Sequence, residues 1–366
     1  MTSRKNKVID EAKGPKVFLK RLLAEVDIPQ GVNIYNPDNT SLLEAKKCKK
    51  EGDTIIARLD GVYFYKFTMK ELLGFLSNRG YLKLKGNNSG KSFEPSRYLT
   101  ININKILNRN ISWLVKNSHG LIFQSQLSKA MHDKFIGNLD SQRCTIINNG
   151  IDLDEYSPCH REERWKEFFP NILVSASSYR PQKRLSSAIK LVNSLVNQFP
   201  RICLHVLGDL NRPVQEEIKG LDVSKCIFHG KISLDLLPSF YSACDLQLHL
   251  SLLDPCPNVV VEGLASGLPV VTPRESGAFE LIDFNKDWSV EEGKEIDYYE
   301  NHRPWSFSDI EIPPYKEKII SMVDNIVENK SLARNIAEKN LNIDDISSKY
   351  IYFINQVTES LDEETT

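Results

Sequence analysis

No apolar run in the 366 residues approaches the roughly 18 that a membrane-spanning helix needs, so an integral membrane protein is excluded as a reading. Met1 to Lys16 is polar and charged with no apolar core, which predicts no secretory signal. Low-complexity and collagen-like stretches are missing, so the chain as a whole is neither fibrous nor disordered. The seven cysteines (Cys48, Cys144, Cys159, Cys203, Cys226, Cys244 and Cys256) form no C-x-x-C pair. Cys203 and Cys226 lie inside apolar runs, so buried thiols in a reducing cytosol are expected rather than a disulfide framework or a zinc site. No His/Asp/Glu group has metal-ligand spacing. A G-x-S-x-G turn and a Ser–His–Asp order are both missing, which removes the usual hydrolase nucleophiles. Zinc-finger spacing and aromatic RNP-type strands are missing too, so no nucleic-acid partner is expected.

What is present describes a soluble two-domain chain. At about 100–200 residues per domain, the length suggests two domains. Hydrophobic residues make up 41% and charged residues 26%, enough apolar material for two cores. The net charge of −1 hides an asymmetry: residues 1–110 hold 21 basic and 11 acidic residues, the remainder 26 basic and 37 acidic. One reading is an ordinary solvated surface. The other is an N-terminal half that faces something anionic, such as acidic lipid, a pyrophosphate-bearing acceptor or nucleic acid.

Apolar runs bounded by turn residues alternate with amphipathic stretches. Thr54–Leu59, Gly120–Gln124 and Cys144–Ile147 read as strands, the last closed by the turn signal Asn148-Asn149-Gly150, with a helix over Ser125–Phe135. The second half repeats the pattern. Strands are expected at 172–175, 202–207, 226–228, 246–250 and 269–271, and helices at 185–198, 234–243 and 259–265. Further amphipathic helices are expected at 318–329 and 344–357. This alternation predicts an α/β fold of parallel sheets covered on both faces. The pattern is interrupted near Asp154–Arg164. Residues 80–100 read as a glycine-rich polar loop, in which Ser89-Gly90-Lys91-Ser92 lacks the upstream glycine spacing and strand of a P-loop.

Two stretches can carry chemistry. The first runs from Asp254-Pro-Cys-Pro-Asn258-Val259 to Glu262, two carboxylates eight apart around a proline-rich turn that opens a helix. The amides of Asn258 and Val259 would sit at a helix N-terminus at the edge of a parallel sheet, a place that suits phosphate. Asp254 could hold sugar hydroxyls and Glu262 ribose hydroxyls. The plainer reading is that Asp254 caps the turn and Glu262 decorates the first helical turn. The second stretch, Ser177-Ser-Tyr-Arg180-Pro-Gln-Lys183-Arg184, puts three cations in five residues at a strand-to-helix turn, which suits a diphosphate leaving group. His229 and His249 lie in or beside apolar strands and read as core or edge histidines.

In order along the chain stand Ile-Phe-Gln-Ser125, Ile-Asn-Asn-Gly150-Ile-Asp152, the Arg180/Lys183 turn and Val-Leu-Gly208-Asp. Phe-His-Gly230-Lys-Ile and Asp254-x7-Glu262 with Gly267-Leu-Pro-Val-Val follow. This ordered set resembles the retaining GT-B fold glycosyltransferases of the glycosyl transferases group 1 type (family four), strongly from Gly120 to Glu280 and more loosely before it. The resemblance implies two Rossmann-like domains facing across a cleft. The first spans 1–157 on the acceptor side. The second spans 158–343 and binds the nucleotide sugar. A helix and polar tail, 344–366, cross back to the first.

By the same resemblance, Lys183 binds the donor diphosphate. Ser178 stands where the family usually has an arginine, and Arg180 takes that role from two residues later. Asp254 occupies the first acidic position, where the family usually has Glu. Glu262 matches the ribose-binding glutamate, Asn258 and Val259 the phosphate cradle, and Gly14 the glycine loop beneath the donor phosphate. Asp60, in Arg58-Leu-Asp60-Gly-Val-Tyr, lies near where many members carry a histidine and is a candidate catalytic residue. The expected activity moves a sugar from a nucleotide-sugar donor to a glycan or lipid-linked glycan acceptor in cell-surface polysaccharide assembly. No cofactor or metal is expected. The expected place is the cytoplasm, with peripheral contact at the anionic inner face of the membrane through residues 66–110. Three alternatives stay open: a GT-B nucleotide-sugar epimerase, a degenerate transferase kept as a sugar-binding or scaffold protein, and a nucleic-acid binder.

Overall fold

The computed structural model describes residues 22, 26–37, 42–62, 67–68, 100–101, 108–137, 139, 143–159, 163–293 and 309–365. Gly14, the apolar pair Val8-Ile9, nearly all of 66–107 and the 80–99 loop lie outside them.

The first sheet is parallel, with strands β1 (Val32–Tyr35), β2 (Thr54–Leu59), β3 (Gly120–Phe123) and β4 (Cys144–Ile146) side by side in that order. Both faces are covered, which is why β2 and β3 read as nearly unbroken apolar runs. Ile55, Ala57, Leu59, Leu121 and Phe123 pack under α1 (Leu42–Lys50), α2 (Arg109–Asn117) and α3 (Gln126–Phe135). Ile56 and Ile122 point the other way, against Ile346, Tyr350, Phe353, Ile354 and Val357 of the last helix. These five recur at helical spacing and form one apolar stripe. Burying each is worth about 1.5–3 kcal/mol. Two glycines let the helix approach: a Cβ on Gly120 would lie 2.8 Å from Val357, and one on Gly150 would lie 2.9 Å from Ile346.

The second sheet is built from β5 (Asn171–Tyr179), β6 (Cys203–Leu210), β7 (Cys226–Gly230), β8 (Leu246–Leu248), β9 (Val270–Pro273) and β10 (Ser289–Val290). Its order is β10-β9-β8-β5-β6-β7, all parallel. The chain winds outward from β5 in one direction and then, from β8, in the other. Helices α4 (Leu185–Ser194), α5 (Arg212–Ile218), α6 (Leu237–Ala243), α7 (Asn258–Ala265), α8 (Ala278–Leu281), α9 (Ile312–Asp324) and α10 (Ile326–Asn340) enclose it, and α11 (Ile343–Thr365) returns to the first sheet. A ligand crevice is expected where the winding reverses, outside the carboxyl ends of β5 and β8.

Several boundaries differ from the sequence expectation. The single helix expected at 318–329 is divided by Asn325, whose side chain donates to the Ser321 carbonyl and ends α9. The expected helix over 234–243 begins as a 3-10 turn at Leu234–Leu236 and becomes α6 with Pro238 in its first turn, where the missing proline N–H costs nothing. Helix α4 stops at Ser194, where the bond from the Leu195 amide to Val192 tightens the last turn. Strand β1 and helices α1 and α2 are further elements outside those expected from the sequence, although Ile111, Leu114 and Val115 of α2 do stand at helical spacing.

Candidate functional site at the winding reversal

Strand β5 ends at Tyr179, and a 3-10 turn over Pro181–Lys183 follows. Strand β8 ends at Leu248, and the loop after it carries Asp254 and leads into α7 at Asn258. The two loops meet: Lys183 Nζ lies 2.6 Å from Asp254 Oδ2. His249 Nε2 lies 3.9 Å from the same oxygen and is buried with no hydrogen-bond partner among the described residues. Burial pushes the Asp254 carboxyl up. The attraction of Lys183 and His249 and the Lys183 hydrogen bond outweigh it, so the group titrates below its usual range. Burial lowers the His249 imidazole to about 4, and Lys183 adds to that while Asp254 opposes it.

The acidic turn is held from both sides. The Gly277 N–H donates to the Asp254 carbonyl at 2.9 Å. A Cβ on Gly277 would lie 1.7 Å from the Pro255 carbonyl oxygen, so no other residue fits this crossing. Pro257, the N-cap of α7, supplies no side-chain acceptor for the first amides of that eight-residue helix. One turn in, Glu262 is buried and accepts the Tyr241 hydroxyl at 3.0 Å. Burial and the Glu262 charge push the Tyr241 phenol well up, so it stays a donor.

Across the crevice, Asp60 follows the end of β2. It accepts Asn36 Nδ2 at 2.6 Å and Arg58 Nη1 at 2.8 Å. A Cβ on Gly61 would lie 3.6 Å from Pro255 Cγ, which sets this segment against the acidic turn. Arg58 is fully buried. It donates to Asp60, to the Asn149 side-chain oxygen and, at 3.0 Å, to Tyr350 of α11. Burial pulls the guanidinium down, but Tyr350 and Asp60 more than compensate and hold it above its ordinary value. Asn149 in turn donates to Asn258 Oδ1 at 2.6 Å. A polar chain therefore runs from Asp60 through Arg58 and Asn149 to the first residue of α7, from one sheet to the other.

Lys183 and Asp254 are thus in direct contact, Asn258, Val259 and Glu262 lie on the helix that the Asp254 loop leads into, and Asp60 is linked to Asn258 through Arg58 and Asn149. Arg180 is exposed at the start of the Lys183 turn. Arg184, the third cation of that turn, does not join Lys183: it adopts a left-handed backbone (φ 52°) and turns inward to a bidentate pair with Glu292 at 2.7 and 3.0 Å. It is unavailable to a diphosphate. The reading of His249 as an ordinary core histidine is half right: it is buried, but it faces Asp254. Arg58 and Asn149 are site residues that motif reasoning did not assign. A fully charged side chain in the otherwise apolar strand Thr54–Leu59 was the available signal for Arg58. Among the described residues, Cys48, Glu51 and Asp53 place ligand atoms within 4.8 Å of one another, at the opposite end of β2 from Asp60. Exposed acidic groups of this kind are common without an ion, and the trio lies away from the crevice. Among the described residues, no helix is long and apolar enough to cross a membrane.

The model of the family described as glycosyl transferases group 1 matches residues 160–301. The sulfoquinovosyl transferase SQD2 of Arabidopsis thaliana is 25% identical over 156 residues, covering 40% of this chain and 29% of that protein. The chain therefore matches less than a third of that relative's length. Among solved structures, Anabaena Alr3699/HepE in complex with UDP superposes with a TM-score of 0.56 at 17% identity, over 95% of this chain and 82% of that one. The sucrose-phosphate synthase of Thermosynechococcus elongatus gives 0.60 at 13% identity, over 94% and 78%. Over residues 160–301 the chain is similar to the glycosyl transferases group 1 family, and the two-sheet architecture is the GT-B fold.

Proposed function

We propose that the protein is a retaining glycosyltransferase that moves a sugar from a nucleotide-sugar donor to a glycan or lipid-linked glycan acceptor. The observation that carries this reading is the Lys183–Asp254 pair at the winding reversal, beside the N-terminus of α7. A cation and a helix end that lacks a side-chain cap suit a diphosphate, and a carboxylate beside them suits sugar hydroxyls. The UDP complex of the Anabaena protein makes uridine nucleotides the first donors to try. Lys183 and Arg180 balance the charge of the departing phosphate, Glu262 takes the ribose, and Asp254 orients the sugar. Asp60 faces the reacting centre as a group held in place by Arg58 and Asn36. With cations and helix amides meeting the phosphate charge, no metal is required. The acceptor enters from the first domain, whose positive charge suits a phosphate-bearing lipid carrier or the cytoplasmic leaflet. Cell-surface polysaccharide assembly in the cytoplasm is the setting that fits such an acceptor.

The test is thermal stabilisation by UDP, GDP, ADP, dTDP and their sugars, with and without magnesium, on the wild type and Glu262→Ala. A metal-independent rise in Tm with one nucleotide family, lost in the variant, is expected. No rise with any nucleotide overturns the reading.

A further inference from the structure

The turn after β9, Ser276 to Glu280, has no part in the donor chemistry above, yet its last residue reaches the other domain. Glu280 Oε2 accepts the Gln126 N–H at 2.7 Å, and Oε1 accepts the Leu127 N–H at 2.9 Å. These are first-turn amides of α3, which lack partners within their own helix. The next amide, Ser128 N–H, goes to the Ser125 hydroxyl at 3.0 Å. A carboxylate from the second domain therefore completes the cap of a ten-residue helix in the first. Burial pushes the Glu280 carboxyl above its usual range, and the two backbone bonds from Leu127 and Gln126 oppose that shift.

The cap acts at both ends. Three residues before Glu280, the Gly277 N–H holds the Asp254 carbonyl at 2.9 Å. One residue beyond Leu127, the Ser128 hydroxyl lies 2.7 Å from the Asp60 carbonyl oxygen and 3.0 Å from that of Leu59. Between them, Leu252 of the β8–α7 loop is buried in the core of the first domain. The segment that carries Asp254 and the segment that carries Asp60 are thus tied to the two sides of one contact.

We propose that Glu280 is a positioning residue: its cap on α3 sets the Asp60 segment of the first domain against the Asp254 turn of the second. This rests on the proposed transferase reading for its catalytic consequence, but its structural half stands alone. Glutamine at 280 keeps the size and one acceptor oxygen, while its amide N–H meets the second backbone N–H head-on. Alanine removes both acceptors.

The experiment compares wild type, Glu280→Gln and Glu280→Ala. Hydrogen exchange is followed in peptides covering 124–135, 56–62 and, as a control, α7 and β5. Nucleotide release from the nucleotide sugar that stabilises the wild type is followed alongside. The expected result is faster exchange at Gln126 and Leu127 and in the Asp60 segment, largest in the alanine variant and intermediate in the glutamine variant, with α7 and β5 unchanged. Turnover should show kcat down about ten- to a hundredfold with the donor KM within a factor of about two, as expected for misplacement rather than lost binding. Unchanged exchange at 126–127 and 56–62 overturns the proposal. So does a KM rise without a kcat loss, or loss of protection throughout the second domain. If no nucleotide sugar stabilises or is turned over by the wild type, the transferase reading fails, and the exchange data alone decide the positioning role.

Discussion

The ion pair between Lys183 and Asp254 makes a prediction opposite in sign to the usual effect of removing a binding-site residue. In the free protein the two groups expected to meet different parts of a donor, its phosphates and its sugar, are spent on each other at 2.6 Å. A bare nucleoside diphosphate has to draw Lys183 off its carboxylate and gains nothing from Asp254. The side chains are 24% and 22% exposed, so the pair is neither a surface bridge nor a fully buried one. Exposed pairs are worth about 0.2–1 kcal/mol, and breaking buried ones costs about 3–5 kcal/mol. A value of about 2 kcal/mol lies between these limits. Asp254→Asn keeps the shape, releases Lys183 and removes a negative charge beside the phosphates. If half or more of that energy is recovered, UDP binds about five- to thirtyfold more tightly to the variant. A UDP-sugar gains less, because the amide no longer accepts a sugar hydroxyl as a carboxylate would. The ratio of the two affinities should therefore fall towards bare UDP. Titration calorimetry with UDP and UDP-glucose at one ionic strength measures both. Weaker or unchanged UDP binding in a variant with an unaltered far-UV spectrum would refute the argument that the pair competes with the donor.

Two further outcomes follow from buried charges. Arg58→Met leaves Asp60, Asn149 and Tyr350 without their shared partner; breaking such a buried pair costs about 3–5 kcal/mol, and a loss under about 1 kcal/mol in urea denaturation would contradict the network. His132 and His249 are both lowered to about 4, chiefly by burial, so the unfolded chain takes up their protons first as pH falls. Their contribution is complete above about pH 6.5 and is lost progressively towards pH 4, by up to about 3 kcal/mol each; His132→Gln should flatten the fall of the urea midpoint between pH 7 and 4.5, and an equally steep fall would count against it.

The parts of the site that local sequence made legible are those whose geometry is local. A proline-rich turn opening an apolar helix puts Asp254 and Glu262 eight residues apart near one helix N-terminus, wherever that helix packs. A basic turn between a strand and a helix puts Lys183 at a sheet edge. The repeated strand–helix alternation settles parallel sheets, because strands buried on both faces must be apolar throughout. Arg184 shows the limit of the same reasoning. It stands next to Lys183 in the chain, but its left-handed backbone turns it inward to Glu292, more than a hundred residues away. No spacing rule separates these two cations.

What only the folded chain decided is which side chains find partners across long separations. Arg58 meets Tyr350 across 292 positions, Asn149 meets Asn258 across 109, and Glu280 meets Gln126 across 154. Each is a polar group whose burial would be costly unless paired, and the sequence records the polar group but not its partner. Asp60 was legible as a residue at the end of a strand. That it is held by Arg58 and Asn36, and set against Pro255, depends on two sheets being docked and on α11 crossing back between Gly120 and Gly150. Periodicity along one chain carries the elements, because side-chain direction repeats with the backbone. The pairing of elements is a property of packed surfaces, and that is where the two halves of this site are joined.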